Sequence, residues 1–105
     1  MAPIDPLHVQ LLAAALFTIG LVVVLARRNV FLVLMGIELM LNAVNLSFVG
    51  FGRSLPGDMS LVGQITPLFT IAIAAAEACV GLAMVICIVR GRDSLDGDAY
   101  ADMKE

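Results

Sequence analysis

Two acidic side chains stand inside long apolar segments of this sequence, and they are the residues best suited to chemistry. Glu38 interrupts one membrane-length apolar segment, and Glu77 interrupts a second. A charged residue at such a position costs about 2.5–3.5 kcal/mol on insertion scales, so it is a functional candidate by default. Desolvation favours the neutral form of a carboxyl group, which can release and regain a proton when its surroundings change. The two residues therefore indicate proton transfer.

Polar side chains accompany Glu38 along its segment. Asn42 and Asn45 follow it at spacings of four and seven residues. On an α-helix these spacings place the three side chains within about 60° of arc. Each amide can hydrogen-bond water or the carboxyl group, and so extend a polar track along the helix. Asn side chains also join membrane helices to one another, and for these two residues both interpretations stay open.

Small side chains surround Glu77 on its predicted helix. Thr70 lies on the same predicted helix face, and alanines occupy positions 74–76 and 78. Small residues let helix backbones approach closely and leave room for water or a partner's side chain. Measured from the arginine-bearing helix ends, Glu38 is about 13 Å deep and Glu77 about 20 Å deep. Two acids at similar depth favour proton sites over helix–helix links, and we expect both to face protein or internal water.

The composition places the chain among membrane proteins. It has 105 residues, of which 61% are hydrophobic, and a soluble domain of this size has too little interior to bury them. Apolar segments at about 9–26, 30–49 and 67–89 are long enough to span a bilayer. We therefore predict an all-α membrane protein, with a three-helix transmembrane domain over residues 1–92 and an acidic cytoplasmic tail over residues 93–105.

Short polar segments connect the predicted helices. Arg27, Arg28 and Asn29 form a three-residue connection, so the second helix must return antiparallel beside the first. Residues 50–63 are rich in glycine and polar side chains, which predicts an exposed loop. Pro67 is expected in the opening turn of the third helix, where its missing N–H matters least.

Basic residues predict the orientation of the helices in the membrane. Arg27, Arg28, Arg90 and Arg92 lie on one side after an even number of crossings, and only Arg53 lies on the other. Lys/Arg-rich ends face the cytoplasm, so the C-terminus is expected there and the N-terminus outside. Arg27 and Arg28 are expected to act chiefly as topology anchors, and they remain secondary candidates for the functional site.

Several other functions lack support in the sequence. There is no basic patch with interleaved aromatic residues and no Trp, so nucleic acid is not an expected partner. Cys79 and Cys87 lie in one predicted helix about 12 Å apart, which is too far for a disulfide. No metal-ligand or phosphate-loop motif occurs, and we expect no cofactor or metal to be bound by this chain.

The residues that carry the chemistry also resemble a known family. The run RRNVFLVLMGIELMLNAVNLSFV looks like the second helix of the K subunit of respiratory complex I, the proton-pumping NADH:quinone oxidoreductase. The run AAAEACVGLA around Glu77 is similar to its third helix, and the resemblance covers about residues 8–90.

This resemblance implies a non-redox subunit of the membrane arm in a bacterial inner (plasma) membrane. Its expected neighbours are the lipid bilayer, the antiporter-like subunits and the quinone-module subunits. The family also implies that Glu38 and Glu77 couple quinone reduction to proton transfer. NADH, FMN, iron–sulfur clusters and quinone would be bound by other subunits.

Other membrane families share some of these features. The C subunit of multisubunit sodium/proton antiporters also has three helices with buried acids, and this alternative stays open. Small multidrug exporters need four spans and aromatic residues around the acid, whereas the rotor-ring subunit of ATP synthase has two helices and one acid. A structural assembly subunit is the last alternative. It predicts that Glu38→Gln keeps full activity, because Gln hydrogen-bonds but cannot release a proton.

Overall fold

The computed structural model describes residues 4–92 and contains three α-helices in that range. They are α1 (Pro6–Ala26), α2 (Val30–Ser54) and α3 (Asp58–Arg92). All three are long and apolar enough to cross a membrane. The predicted all-α fold with three membrane-length helices is therefore confirmed, whereas the predicted acidic tail over residues 93–105 lies outside the described residues.

The first two helices begin at capping residues that the sequence provides. The carboxylate of Asp5 accepts a hydrogen bond from the N–H of Leu7 at 2.9 Å, and Pro6 follows at the first helical position. In the same way, the Asn29 side chain accepts from the N–H of Phe31 at 2.9 Å. Such caps satisfy N–H groups that have no partner within the helix. The connection between α1 and α2 is the three residues predicted.

The expected exposed loop over residues 50–63 is wrong. Helix α2 continues to Ser54 and α3 already begins at Asp58. A short turn joins them, in which Gly57 has a φ of 58°, a conformation that residues with a side chain rarely adopt. The α2 and α3 spans are accordingly longer than the predicted ranges.

Close helix packing explains two of the glycines in this region, Gly52 and Gly63. A Cβ atom added to Gly63 would lie 2.5 Å from the Cα atom of Gly52, so the two backbones touch where α2 and α3 meet. Small residues at membrane-helix interfaces permit this approach. Glycine here therefore marks a helix–helix contact instead of a loop.

Pro67 also lies elsewhere than expected. It is buried inside α3, more than two turns after Asp58, and not in the opening turn. Proline removes one intrahelical hydrogen bond, but transmembrane helices tolerate it because neighbouring groups satisfy the freed backbone atoms. The third helix therefore extends well before the proline.

The helices form a single layer with α2 in the middle. Helix α2 contacts α1 and α3, and it does so with opposite faces. Gly36 of α2 meets Gly20 of α1, whereas Gly52 of α2 meets Gly63 of α3. Gly36 and Gly52 are about 160° apart around the helix. This three-helix layer leaves two broad faces uncovered, and large apolar side chains are exposed on it.

Candidate functional site

Two contacts fix the register between α2 and α3. Gly52 meets Gly63 at one end, and a Cβ atom added to Gly81 would lie 2.9 Å from Cδ1 of Leu34 at the other. The two contacts are the same number of residues apart on both helices, about 27 Å of rise. The antiparallel register is therefore constant between them.

This register brings Glu38 and Glu77 to about the same level. Glu38 follows Leu34 by four residues, and Glu77 precedes Gly81 by four, so each lies roughly 6 Å along its helix from that contact. The depths of about 13 Å and 20 Å were measured from helix ends that lie at different levels, because α3 continues to Arg92, well past the level at which α2 begins.

Glu38 lines a groove between α2 and α3. The groove has a volume of about 300 Å³, and its other lining residues include Asn42 from α2 and Ala78 and Leu82 from α3. We call this depression the Glu38 groove. Glu38 itself is half-buried and Asn42 is exposed. Apart from these two side chains the lining is apolar.

Glu77 lies on the other side of the same helix contact. It does not line the Glu38 groove. Relative to Gly81, Glu77 is rotated by about 40° in one direction and Ala78 by about 60° in the other. Glu38 and Glu77 therefore flank the α2–α3 contact on opposite faces of the three-helix layer. Glu77 is exposed, so protein cover for this acid, as expected from the sequence, must come from a neighbouring chain.

Asn45 is the polar side chain inside the α2–α3 contact. Only 7% of its surface is exposed, and neither Nδ2 nor Oδ1 has a hydrogen-bond partner within residues 4–92. By the register it lies at the level of Thr70 on α3. The half-buried Thr70 donates its hydroxyl to the carbonyl of Thr66 at 3.3 Å.

The predicted polar stripe on α2 is therefore divided among three environments. Glu38 is half-buried in its groove, Asn42 is exposed and Asn45 is buried. An arc of about 60° on a helix is enough to pass from a helix contact to an outer face. The spacing of the three residues predicted that their side chains point in a similar direction from the helix. It did not predict that they are buried to different degrees.

The arginines of the α1–α2 connection stand apart from the acids. Arg27 and Arg28 are both exposed, and Glu38 lies ten residues past Arg28, about 15 Å of helical rise. The structure thus separates these candidates from the Glu38 groove. Within the described part of the chain, no group of three His, Cys, Asp or Glu side chains could hold a metal ion.

Sequence reasoning missed a polar link between α1 and α2. Ser47 donates its hydroxyl to Oε1 of Gln10 at 2.6 Å, and Nε2 of Gln10 donates to the carbonyl of Ser47 at 3.1 Å. Both are polar residues in apolar segments at similar distances from the α1–α2 connection, and this signal could have predicted the pair. Because their polar atoms satisfy one another, they link helices and are poor candidates for chemistry.

Comparison with known proteins gives the family. Residues 8–105 match the family model described as NADH-ubiquinone/plastoquinone oxidoreductase chain 4L. The chain is 50% identical to NADH-quinone oxidoreductase subunit K of Thermomicrobium roseum over 105 residues, which is 100% of both chains. The chain belongs to the subunit K (chain 4L) family of complex I.

Further relatives support membership of the subunit K family. The subunit K proteins of Myxococcus xanthus and Salinibacter ruber are 52% and 58% identical over 95 and 85 residues. These matches cover 90% and 81% of each pair of chains, respectively. The resemblance inferred from the sequence motifs is confirmed, and the choice over the antiporter C subunit is resolved. The chain is a subunit of the membrane arm of NADH-quinone oxidoreductase.

Proposed function

We propose that this chain supplies Glu38 and Glu77 as proton-transfer sites that couple quinone reduction to proton movement. The observation that carries the proposal is their arrangement at one level of two membrane-length helices, on opposite sides of one helix contact. Each acid then has its own set of neighbours, and each can respond to events on one face of the layer. NADH, FMN, iron–sulfur clusters and quinone would be held by other subunits of the complex.

The Glu38 groove suits a carboxyl group that changes its protonation state. Its walls are apolar except for Glu38 and Asn42. Electrostatic interactions are stronger in such low-dielectric surroundings, so a charged group entering the groove would interact strongly with the Glu38 side chain. Asn42 is exposed beside it and can hydrogen-bond the carboxyl group or that water.

The exposed face around Glu77 requires a protein partner. A carboxyl group facing lipid at this depth is costly, whereas a neighbouring subunit can offer a lysine, a second acid or internal water. The antiporter-like and quinone-module subunits of the complex are the proposed neighbours. The chain alone has acids but no driving reaction, so proton transfer must depend on these subunits.

The orientation in the bacterial inner membrane is part of the same proposal. Arg27 and Arg28 would lie on the cytoplasmic side as topology anchors, with Arg90 near the same surface. A reporter enzyme fused to the C-terminus should then be active in the cytoplasm. A reporter that is active only in the periplasm would overturn this orientation.

Replacing Glu38 by Gln tests the proposed proton site. Gln has nearly the same shape and can hydrogen-bond, but it cannot release a proton. The Glu38→Gln complex should assemble normally, while proton pumping and NADH:quinone reduction fall by at least about tenfold. Glu38→Asp should be milder, since it keeps a carboxyl group. Pumping is measured with a pH-sensitive dye in inverted membrane vesicles, and assembly by native electrophoresis.

The matched control is Met35→Leu, which changes another lining residue of the Glu38 groove while nearly conserving its volume. It should leave pumping unchanged. Full pumping by an assembled Glu38→Gln complex would exclude the proton-site role and favour a structural assembly subunit.

A further inference from the structure

We propose that a second groove between α2 and α3 binds the acyl chain of an anionic phospholipid, with the lipid phosphate beside Arg27. The groove has a volume of about 210 Å³, and all eight of its lining residues are apolar, among them Ile37 and Met84. We call it the Met84 groove. Lipid binding is a further property of the chain, and it does not depend on the proposed proton-transfer function.

The Met84 groove runs lengthwise along the α2–α3 contact. Its lining residues extend from Val30 to Ile37 on α2 and from Gly81 to Ile88 on α3. Each interval is seven residues, or about 10 Å of rise. An apolar groove of this length, parallel to membrane-length helices, fits an extended acyl chain, because the chains of a bilayer run in the same direction.

Two arginines lie at the open end of the Met84 groove. Arg27 precedes the lining residue Val30 by three residues, which is at most about 11 Å of chain, and Arg27 and Arg28 are both exposed. Arginine forms paired hydrogen bonds with phosphate oxygens, and basic pockets between transmembrane helices bind anionic lipid headgroups. The acids within residues 4–92 are all more distant along the chain: Asp5, Glu38, Asp58 and Glu77.

An anionic phospholipid explains the groove and the arginines together. The Met84 groove has no polar side chain in its lining, so it selects for an apolar occupant, whereas Arg27 beside its end selects for an anion. A phospholipid carries the chain and the phosphate in one molecule. An apolar helix of another subunit would account for the groove alone, and a free phosphate would account for the arginines alone.

The Met84 groove lies on the same side of the α2–α3 contact as Glu77. Met84 and Ile88 follow Glu77 by seven and eleven residues, and these spacings return to within about 20° of the same direction on a helix. A bound chain would therefore fill the part of this face that extends from the level of Glu77 towards Arg27. The subunit proposed to cover Glu77 would then pack beside the lipid.

Photolabelling of the intact complex tests the proposed site. The complex is reconstituted in phosphatidylcholine vesicles that contain a trace of phosphatidylglycerol with a diazirine in its acyl chain. After illumination, mass spectrometry should find the label on lining residues of the Met84 groove. The same diazirine on phosphatidylcholine should label them several-fold less, because its headgroup has no net charge. Equal labelling by the two lipids, or no label in the groove, would overturn the proposal.

Substitution of Arg27 tests the recognition of the headgroup. Arg27→Gln should lower labelling by phosphatidylglycerol by about fivefold, as expected for one basic residue beside an anionic headgroup. Arg27→Lys keeps the charge and should label to within about twofold of the unaltered complex. Arg53→Gln is the matched control, since Arg53 is exposed at the opposite end of α2, and labelling should not change. Equal labelling of Arg27→Gln and Arg53→Gln would contradict a role for Arg27.

Filling the Met84 groove tests the binding of the acyl chain. Val33 lines the groove, and Val33→Phe should lower its labelling by both lipids. Ile86→Phe is the control, because Ile86 is 52% exposed on α3 but does not line the groove. If native electrophoresis shows that Val33→Phe does not assemble, Met84→Phe replaces it, since the Met84 side chain is 59% exposed. Unchanged labelling in an assembled groove variant would exclude this groove as the binding site.

A cryo-electron microscopy map of the complex in a lipid nanodisc gives an independent readout. We expect a chain of density in the Met84 groove that ends in a headgroup beside Arg27. A protein side chain in the groove, or an acidic side chain of residues 93–105 against Arg27, would contradict the inference. The lipid site and the proposed function are tested separately. Glu38→Gln should label normally whatever its pumping, and absence of the lipid would leave the proposed proton-transfer function unaffected.

Discussion

The two helix contacts of this protein use similar backbone packing but treat polar groups differently. In the α1–α2 contact, Gly20 and Gly36 bring the backbones together, and Gln10 and Ser47 satisfy one another by two hydrogen bonds. The α2–α3 contact also has a close glycine pair, but it contains the unpaired amide of Asn45. Two glutamates flank this second contact, and no acid occurs in α1.

This difference separates stabilising polar groups from candidates for function. Polar side chains that pair across membrane helices typically contribute about 0.6 kcal/mol, and up to about 1.7 kcal/mol. Buried polar groups without a partner cost free energy, and each needs an explanation such as water or a catalytic role. We therefore interpret the α1–α2 contact as structural, whereas the α2–α3 contact is flanked by the residues for which we propose a role in proton transfer.

The largest effect, a loss of assembled complex, is expected from a substitution in the α1–α2 contact. A Cβ atom at Gly20 would lie 2.7 Å from the carbonyl oxygen of Gly36 and 3.1 Å from the backbone N of Met40. Since backbone atoms cannot move aside easily, Gly20→Val should separate α1 from α2 and reduce the amount of assembled complex by about tenfold or more. Native electrophoresis of solubilised membranes measures this amount.

Gly91→Val is the matched control for this prediction. A Cβ atom at Gly91 would have no neighbour within 4 Å in the described part of the chain, so assembly should be normal. Normal assembly of Gly20→Val would show that close backbone packing does not hold α1 against α2.

An intermediate effect is expected at Glu77. Glu77→Gln should leave the complex assembled and lower proton pumping, because the amide cannot release a proton. We expect a loss of about threefold to tenfold, smaller than that of Glu38→Gln. The reason is that Glu38 shares its groove with Asn42, whereas the chain provides mainly alanine around Glu77. Dye-based pumping assays on both variants, normalised to assembled complex, make the comparison. A larger loss of pumping in Glu77→Gln than in Glu38→Gln would contradict this prediction.

The smallest effect is expected at the paired polar link. Ser47→Ala removes the hydrogen bond to Oε1 of Gln10 and should lower the stability of the solubilised complex by about 1 kcal/mol. Pumping per assembled complex should not change, because the pair satisfies itself and lies at the other helix contact. Thermal dissociation of the complex and its turnover number are the two measurements. If Ser47→Ala assembled normally but lost much of its turnover, the α1–α2 contact could not be regarded as purely structural.

The sequence by itself determined the membrane class, the all-α fold, the presence of Glu38 and Glu77 in the spans, and the family. These features depend on local properties, because apolar length and the cost of a buried charge can be read from a single segment. The residues between 50 and 63 were misjudged for the same local reason. Glycine is common both in loops and at close helix contacts, and only its neighbours in space distinguish the two.

Only the tertiary structure decided how the candidate residues are arranged. The common level of Glu38 and Glu77, their separation on opposite faces and the burial of Asn45 all follow from the register of α2 against α3. That register is set by contacts such as Gly52 with Gly63, between residues on different helices. Helical periodicity gives the direction of a side chain within its own helix, but it gives neither the level nor the face at which a neighbouring helix packs.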